Sequence, residues 1–556
     1  MFLQGRKDIF DCFRISDKSD CMQKNLLLGA EAIAQGAIDG GISGVYAYPG
    51  TPSTEITEYI QVNPEALRRG IHRTWSVNEK TAYEAALGMS YAGKKSLVCM
   101  KHVGLNVAAD PFMNSCVTGV NGGLVLAVAD DPSMHSSQNE QDSRFYGKFG
   151  MVPVLEPSNQ QEAYDMTYEG LELSEKLKLP VVLRITTRLA HSRSGVVSRP
   201  LKEENQLLFP ANPKQFLLLP AFALRYYQNL LSKQEEIVRL SEQSPWNRLL
   251  PGTDSALGII CCGLTYNYLM ENFREGHCPY SVLKITQYPL PASLVRNLEA
   301  SCEEILVLEE GFPLVEEQLA SFFGKGTPVW GRLNGKLPRA GELNPDHVAR
   351  ALGKSVHEGF PVPSLVAGRP PALCQGCGHQ DLYFALNEAI ESIGHGRVFS
   401  DIGCYTLGAL QPYDSIDTCV DMGASVTMAK GAADAGIQPA FAVIGDSTFT
   451  HSGITGLLDC VIEKSNVNVI VLDNEAVAMT GGQDSSARGR IEDICAGVGV
   501  SEDHIRVVVP LKKNHAQMVS VIRQEMEYQG VSVIIARRPC LQKLAREKRE
   551  KARQGE

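Results

Sequence analysis

Residues 440–483 read AFAVIGDSTFTHSGITGLLDCVIEKSNVNVIVLDNEAVAMTGGQ, and the reading of this stretch decides the fold. Ala440 to Ile444 is a short apolar run of the kind that makes a buried strand, and Gly445-Asp446-Ser447 breaks it. His451 to Lys464 has helical spacing, Val467 to Leu472 is a second, β-branched strand, and Asp473-Asn474 closes a βαβ unit. Ligands of an open parallel sheet sit outside the carboxyl ends of its strands, so Asp446 and Asn474 are expected side by side. Two hard oxygen side chains beside glycine-rich turns suit a Mg²⁺ ion that keeps its other positions for phosphate oxygens and water. Such a site binds a diphosphate through a metal. The plainer alternative is that both are turn residues at two βα junctions.

Working outward, 556 residues exceed one ordinary core, and a length prior gives three or four domains. A net charge of −10 provides no basic surface for nucleic acid, and no groove-reading motif accompanies it, so nucleic-acid binding is not expected. No apolar run reaches membrane-spanning length, and the opening MFLQGRKDIFDCFRISDKSDC lacks a signal-peptide core. The expected compartment is the cytoplasm. Fifteen cysteines are then thiols or metal ligands, not a disulfide framework.

Residues 1–24 show no period and are expected as a tail. An α/β domain follows over 25–205, with a small-residue helix from Asn25, the strand VYAY and the turn PGTPST, where Ser53 and Thr54 occupy N-cap positions whose free amides would suit an anion. A helix begins near Glu79, the strand SLVCM leads into KHVGLNVAADPF, and a long polar loop, SMHSSQNEQDSRFYGKFG, contains Arg144. Residues 206–250 read as a helical connector, 251–345 as a smaller α/β domain, and 346–372 as a stiff, Pro-rich linker. The βαβ unit lies in a third α/β domain, 373–540, and LQKLAREKREKARQGE, 541–556, reads as a charged helix or frayed tail, most simply a solvated end. Cys374 and Cys377 form a C-x-x-C compatible with zinc, redox chemistry or an iron–sulfur cluster. Cys404 and Cys540 fall at strand ends of the same domain, so all four thiols are placed to converge at one sheet edge.

The stretch GDS, then Asn474, then MTGGQ resembles the thiamine diphosphate motif of 2-oxoacid:ferredoxin oxidoreductases, with Ser447 where many thiamine enzymes have Gly. YPGTPSTE, VNEK, HVGLNVAADPF, QYPLP, CQGCGH, DIGCYTLG and DNEAVAMTGGQ, in that order, extend the resemblance to the large subunit of the indolepyruvate:ferredoxin oxidoreductase family over 25–540. It implies two thiamine diphosphate-binding, doubly wound parallel-sheet domains, the first for the pyrimidine and the third for the diphosphate. The smaller domain between them would be transketolase C-terminal-like. It further implies that Asp446, Asn474 and the carbonyl of Ala476 hold Mg²⁺, that Gly445, Ser447 and Thr480 line the cofactor, and that Glu79 meets the pyrimidine N1′. Thr51 and Arg144 would contact substrate, and Cys374, Cys377, Cys404 and Cys540 would hold a [4Fe–4S] cluster.

The activity so implied is oxidative decarboxylation of an aryl pyruvate to an acyl-coenzyme A, with electrons leaving through the cluster to ferredoxin or another soluble acceptor. A smaller second subunit and a dimer of heterodimers are implied with it. The family commonly carries a further ferredoxin-like domain, of which 541–556 shows no cluster cysteines. Two alternatives remain: a non-oxidative thiamine-dependent decarboxylase or synthase, and a non-catalytic subunit that kept the fold.

Overall fold

The computed structural model describes residues 24–273, 276–323, 326–356, 359–368 and 370–554. The expected N-terminal tail, Lys24 apart, lies outside the described residues.

Gly44–Ala47, Ser96–Lys101, Leu124–Asp130, Val181–Thr186 and Val154–Leu155 lie parallel, in that spatial order, in a first sheet. Its central strands are buried along their whole length, and successive residues serve opposite faces. Val125, Ala127 and Ala129 join one core with the helix Gly29–Asp39, while Leu124, Leu126 and Val128 join another with Tyr83 and Phe112. Each such aliphatic side chain contributes about 1.5–3 kcal/mol through burial. The run LVLAVAD therefore has to be an internal strand.

The third domain repeats the scheme. Thr418–Cys419, Val398–Ser400, Ala440–Gly445, Val467–Asp473, Val531–Arg537 and Ile505–Val508 are neighbours in that order and all parallel. Val398–Ser400 connects onward toward one edge of the sheet and Ala440–Gly445 toward the other. A crevice opens between two such strands at their carboxyl ends, where ligands of open α/β sheets lie. Between these domains a five-stranded sheet holds Val329–Trp330, Glu304–Leu308, Asp254–Cys262, Tyr280–Ile285 and, antiparallel at the edge, Arg248–Leu250.

Several elements differ from expectation. The chain enters the first domain through a strand, Lys24–Leu28, paired antiparallel with Arg193–Val197, and the helix starts only at Gly29. In the connector, helices occupy Pro220–Ser232 and Gln234–Glu242, the prolines keep 206–219 irregular, and Arg248–Leu250 already belongs to the middle sheet. Gln287–Tyr288, from QYPLP, pairs with Val154–Leu155 and completes the edge of the first sheet. The charged end is a helix, Leu541–Gln554, and it is docked through Lys543 and Arg546. Among the described residues no helix is long and apolar enough to cross a membrane.

Candidate active site

The register Gly445↔Leu472 brings the ends of two parallel strands together, and Asp446 and Asn474 follow them. Asp446 begins a helical run that continues through a π turn at Phe449–Gly453 to Glu463, earlier than the spacing from His451 suggested. One carboxylate oxygen of Asp446, Oδ1, accepts from the Ser447 amide at 2.9 Å, while Oδ2 is buried and has no partner among the described residues. Burial, and then the Asp473 carboxylate, push Asp446 up to about 7. An orphaned, desolvated carboxylate oxygen fits a divalent cation, which would offset both penalties. Asn474 and Ala476 line the same cavity, as do Gly445, Ser447 and Thr480. Glu475, between the two candidate ligands, is held at φ +58°, a conformation that ordinary side chains adopt at a cost and that concentrates at functional sites.

The opposite wall of this cavity comes from the first domain: Tyr48, Thr51, Glu79 and Lys101. Glu79 opens the helix Glu79–Tyr91 behind the cap of Asn78, whose Oδ1 accepts from the Thr81 amide at 2.8 Å. Gly104 lets the chain pass beside it, since a Cβ there would lie 2.5 Å from Glu79 Oε1. Three buried or half-buried hydrogen bonds join the walls: Tyr48 Oη with Ser447 Oγ at 2.8 Å, Asn78 Nδ2 donating to the His451 carbonyl at 3.0 Å, and His451 Nε2 with Glu79 Oε2 at 2.8 Å. One chain thus brings its acid and its candidate metal pair to a single cavity, with no second copy needed.

Behind that cavity lies a second one, lined by Cys374, Cys377, Cys404, Cys540 and His379. The two share Cys404, Asn474 and Ala478 as a common wall. Burial, and then the neighbouring thiols, push Cys404 up to about 12, as four thiols around one space should. Among the described residues no three His, Cys, Asp or Glu side chains converge tightly enough for a single ion. Four thiols around one cavity are a donor set that fits a [4Fe–4S] cluster.

Residues 35–222 match the family model "Pyruvate flavodoxin/ferredoxin oxidoreductase, thiamine diP-bdg", and residues 401–536 match "Thiamine pyrophosphate enzyme, C-terminal TPP binding domain". The indolepyruvate oxidoreductase subunit IorA of Archaeoglobus fulgidus is 41% identical over 547 residues, covering 93% of this chain and 86% of that protein. The chain belongs to the IorA family of indolepyruvate oxidoreductase subunits. IorA of Pyrococcus abyssi is 39% identical over 565 residues, with the same shares covered. A solved structure, 2-oxoglutarate:ferredoxin oxidoreductase from Magnetococcus marinus, superposes with a TM-score of 0.49 at 18% identity, covering 63% of this chain and 69% of that one. The two family-model matches and the parallel sheets make this IorA-family chain α/β and multidomain, with two thiamine diphosphate-binding domains.

One expected site residue stands elsewhere. Arg144 is fully buried at the seam between the first and middle domains, and it does not line the cavity. Its Nη2 donates to Asp142 Oδ2 at 2.6 Å and to the Phe312 carbonyl at 2.8 Å, its Nη1 donates to Tyr288 Oη at 3.2 Å and forms an ion pair with Glu309 Oε2 at 3.0 Å, and its Nε donates to Asp142. All three guanidinium nitrogens are engaged and the charge is neutralised by Asp142 and Glu309, in a seam away from the cavity. Sequence reading passed over Tyr48, Lys101, Ser136, His379 and His451. Lys101 carried a usable signal: it ends an apolar strand, the kind of position from which Asp446 was recognised.

Proposed function

We propose that this IorA-family chain catalyses the thiamine diphosphate-dependent oxidative decarboxylation of an aryl pyruvate, an indolepyruvate-like 2-oxoacid, to its acyl-coenzyme A, with electrons leaving for ferredoxin. The observation that carries this reading is the cavity in which Glu79 faces Asp446 and Asn474, backed through a shared wall by the four-cysteine cavity. Bound there, thiamine diphosphate with Mg²⁺ supplies a carbon nucleophile and an electron sink, and a [4Fe–4S] cluster accepts single electrons.

The chain's own residues do the rest. Asp446 through Oδ2, Asn474 and the Ala476 carbonyl hold the metal, and Gly445, Ser447 and Thr480 stand around the diphosphate. Glu79 holds a proton at the pyrimidine N1′, and His451, 2.8 Å from its carboxylate, fixes the aim of that group. Thr51 contacts the substrate. Val103, Ile402, Met422, Val477 and Met479 keep water out and give an aryl group an adaptable apolar wall. Cys374, Cys377, Cys404 and Cys540 hold the cluster next to the cofactor. The relatives are named as a subunit, which supports a heteromer: a smaller second subunit, assembled as a dimer of heterodimers, with ferredoxin or another soluble protein taking the electrons.

Anaerobically purified complex should contain iron, sulfide and thiamine diphosphate, and should reduce a viologen dye only when coenzyme A and a 2-oxoacid are both supplied, fastest with aryl pyruvates. Decarboxylation by iron-free protein would turn the reading to a non-oxidative decarboxylase. Failure to bind thiamine diphosphate with Mg²⁺ would leave a non-catalytic subunit.

A further inference from the structure

The cavity has two acidic side chains, Glu79 and Asp446, and among the described residues that line it one basic side chain, Lys101. Lys101 ends the strand Ser96–Lys101 and is 8% exposed. Its stem is packed under the PGTPS turn, where a Cβ on Gly50 would lie 3.3 Å from its own Cβ. The ammonium donates to the carbonyl of Ser136 and, at 3.3 Å, to Ser136 Oγ, which in turn reaches the Thr51 carbonyl at 3.4 Å. The Ser136 loop is itself anchored, because Asp131 Oδ2 accepts from the Ser136 amide at 2.8 Å.

An ammonium has three donors, and among the described residues the third has no hydrogen-bond partner; the nearby Asp131 carboxylate acts on it only through space, its Oδ2 being taken by Ser136 and Ser137. Arg144, by contrast, has all three guanidinium nitrogens engaged. A buried, half-spent cation is costly unless something anionic completes it. Burial also pushes the Lys101 ammonium down, to about 8, against the pull of the nearby Asp131 carboxylate, so it remains largely charged at neutral pH.

A 2-oxoacid brings one full negative charge beside its keto carbon. Glu79 at the candidate pyrimidine end repels that charge, and the candidate diphosphate end, at Asp446, would be taken by the cofactor and its metal. The remaining place is the corner formed by Thr51, Lys101, Ser136 and Gln138. We propose that Lys101 is the residue that recognises the substrate carboxylate, seating it in the corner of Thr51 and Ser136 so that the keto carbon is presented to the cofactor and the aryl group falls against the apolar wall. The role is binding and orientation: the charge-assisted hydrogen bond is made by the spare donor, and no bond of the lysine itself is formed or broken. This inference rests on the 2-oxoacid reading of the site.

The test uses the complete complex loaded with thiamine diphosphate and Mg²⁺, comparing wild type with Lys101→Met and Lys101→Arg. Two ligands that cannot be decarboxylated, indolepropionate and its methyl ester, are titrated by calorimetry alongside turnover of the 2-oxoacid. Wild type should prefer the acid to the ester. Lys101→Met should lose about 10- to 100-fold in affinity for the acid, as expected for a lost charge-assisted hydrogen bond, and nothing for the ester. Its KM should rise by a similar factor while its affinity for thiamine diphosphate stays within about threefold. Lys101→Arg should recover part of the preference. Retention of the acid preference by Lys101→Met would overturn the assignment of Lys101 and leave the reaction standing. Absence of turnover and of any acid preference in wild type would instead overturn the 2-oxoacid reading. Should Lys101→Met fail to load cofactor, Lys101→Gln, which keeps a donor without the charge, replaces it on the same criteria.

Discussion

The first domain meets its neighbours along two seams, and they are built in opposite ways. Toward the middle domain the seam is filled: Arg144 engages all three of its guanidinium nitrogens with Asp142, Glu309, Tyr288 and main-chain carbonyls, and beside it Arg184 pairs with Asp130 at 2.6 Å and with Glu156. Toward the third domain a handful of hydrogen bonds closes the rim, and the space inside keeps unspent groups, Oδ2 of Asp446 and one donor of Lys101. Buried polar groups are ordinarily satisfied. At the filled seam paired charges hold two domains together, with Oδ1 of Asp130 left without a hydrogen-bond partner among the described residues; at the open one the unspent groups line a cavity, and a ligand is expected to complete them.

The comparison breaks most visibly at Glu79 and Arg144, two buried charges with different duties. Glu79→Gln should lower turnover by about 10²–10⁴-fold, the usual worth of a positioned acid or base, with thermal stability nearly unchanged. Preserved turnover would remove Glu79 from the chemistry. Arg144→Met should do the reverse. It strands the Asp142 and Glu309 carboxylates in a dry seam, so the chain should lose about 3–5 kcal/mol of unfolding free energy in denaturant titrations, with KM for the 2-oxoacid little affected in whatever protein remains folded. A selective rise in KM without loss of stability would return Arg144 to the list of substrate contacts.

Asp446 sharpens the same contrast through pH. Its folded value, about 7, lies above the unfolded value of about 4. Between those limits the native state keeps a proton that the unfolded chain has released, so this group's contribution to stability falls as pH rises through that window. Asp446→Asn removes the effect. In chelator, the variant should gain on wild type steadily from pH 4 to pH 7, by on the order of 3 kcal/mol. With Mg²⁺ and thiamine diphosphate present, only wild type should be stabilised. Parallel pH profiles for the two proteins would show that the carboxylate is not held as an unpaired, desolvated group.

What the sequence made legible was whatever depends on local order. A strand, a break and an acid are contiguous, so Asp446 and Asn474 could be placed from residues 440–483 alone, and the cysteines at strand ends of one sheet could be expected to meet. Glu79 was legible only because VNEK resembled a family, since an acid at a helix start is otherwise a cap. Arg144 misled because its reading as a substrate contact rested on the family resemblance of SRFYG; in the structure it opens the helix Arg144–Gly150, not a loop, and the groups that bury it, Glu309 and the Phe312 carbonyl, arrive from another domain. Lys101 was missed because a terminal lysine on a strand is ordinarily solvated, and only the fold shows that a loop covers it. The docking of the helix Leu541–Gln554 was illegible for a related reason: its main targets are carbonyls, which every residue carries and no sequence pattern marks.

That helix supplies the smallest expected effect. Lys543 Nζ donates to the Glu475 carbonyl at 2.8 Å and pairs with Asp484, while Arg546 Nη2 donates to the Gly482 carbonyl at 2.9 Å and Nη1 to that of Gly481. The loop so gripped runs directly on from Asn474 and contains Ala476 and Thr480. It also holds three left-handed residues, Glu475 at φ +58°, Gly481 at +127° and Gly482 at +78°, a backbone that would relax if unsupported. Replacing Lys543 and Arg546 together by Ala should leave the fold intact and weaken thiamine diphosphate binding about 3- to 10-fold, on the scale of one net hydrogen bond, as read by equilibrium titration at fixed Mg²⁺. Because the lost contacts act on the metal-bearing wall and not on the substrate corner, KM for the 2-oxoacid at saturating cofactor should not move. A change in KM with unaltered cofactor affinity would mean that the helix serves the seam around the substrate and not the loop beneath the diphosphate.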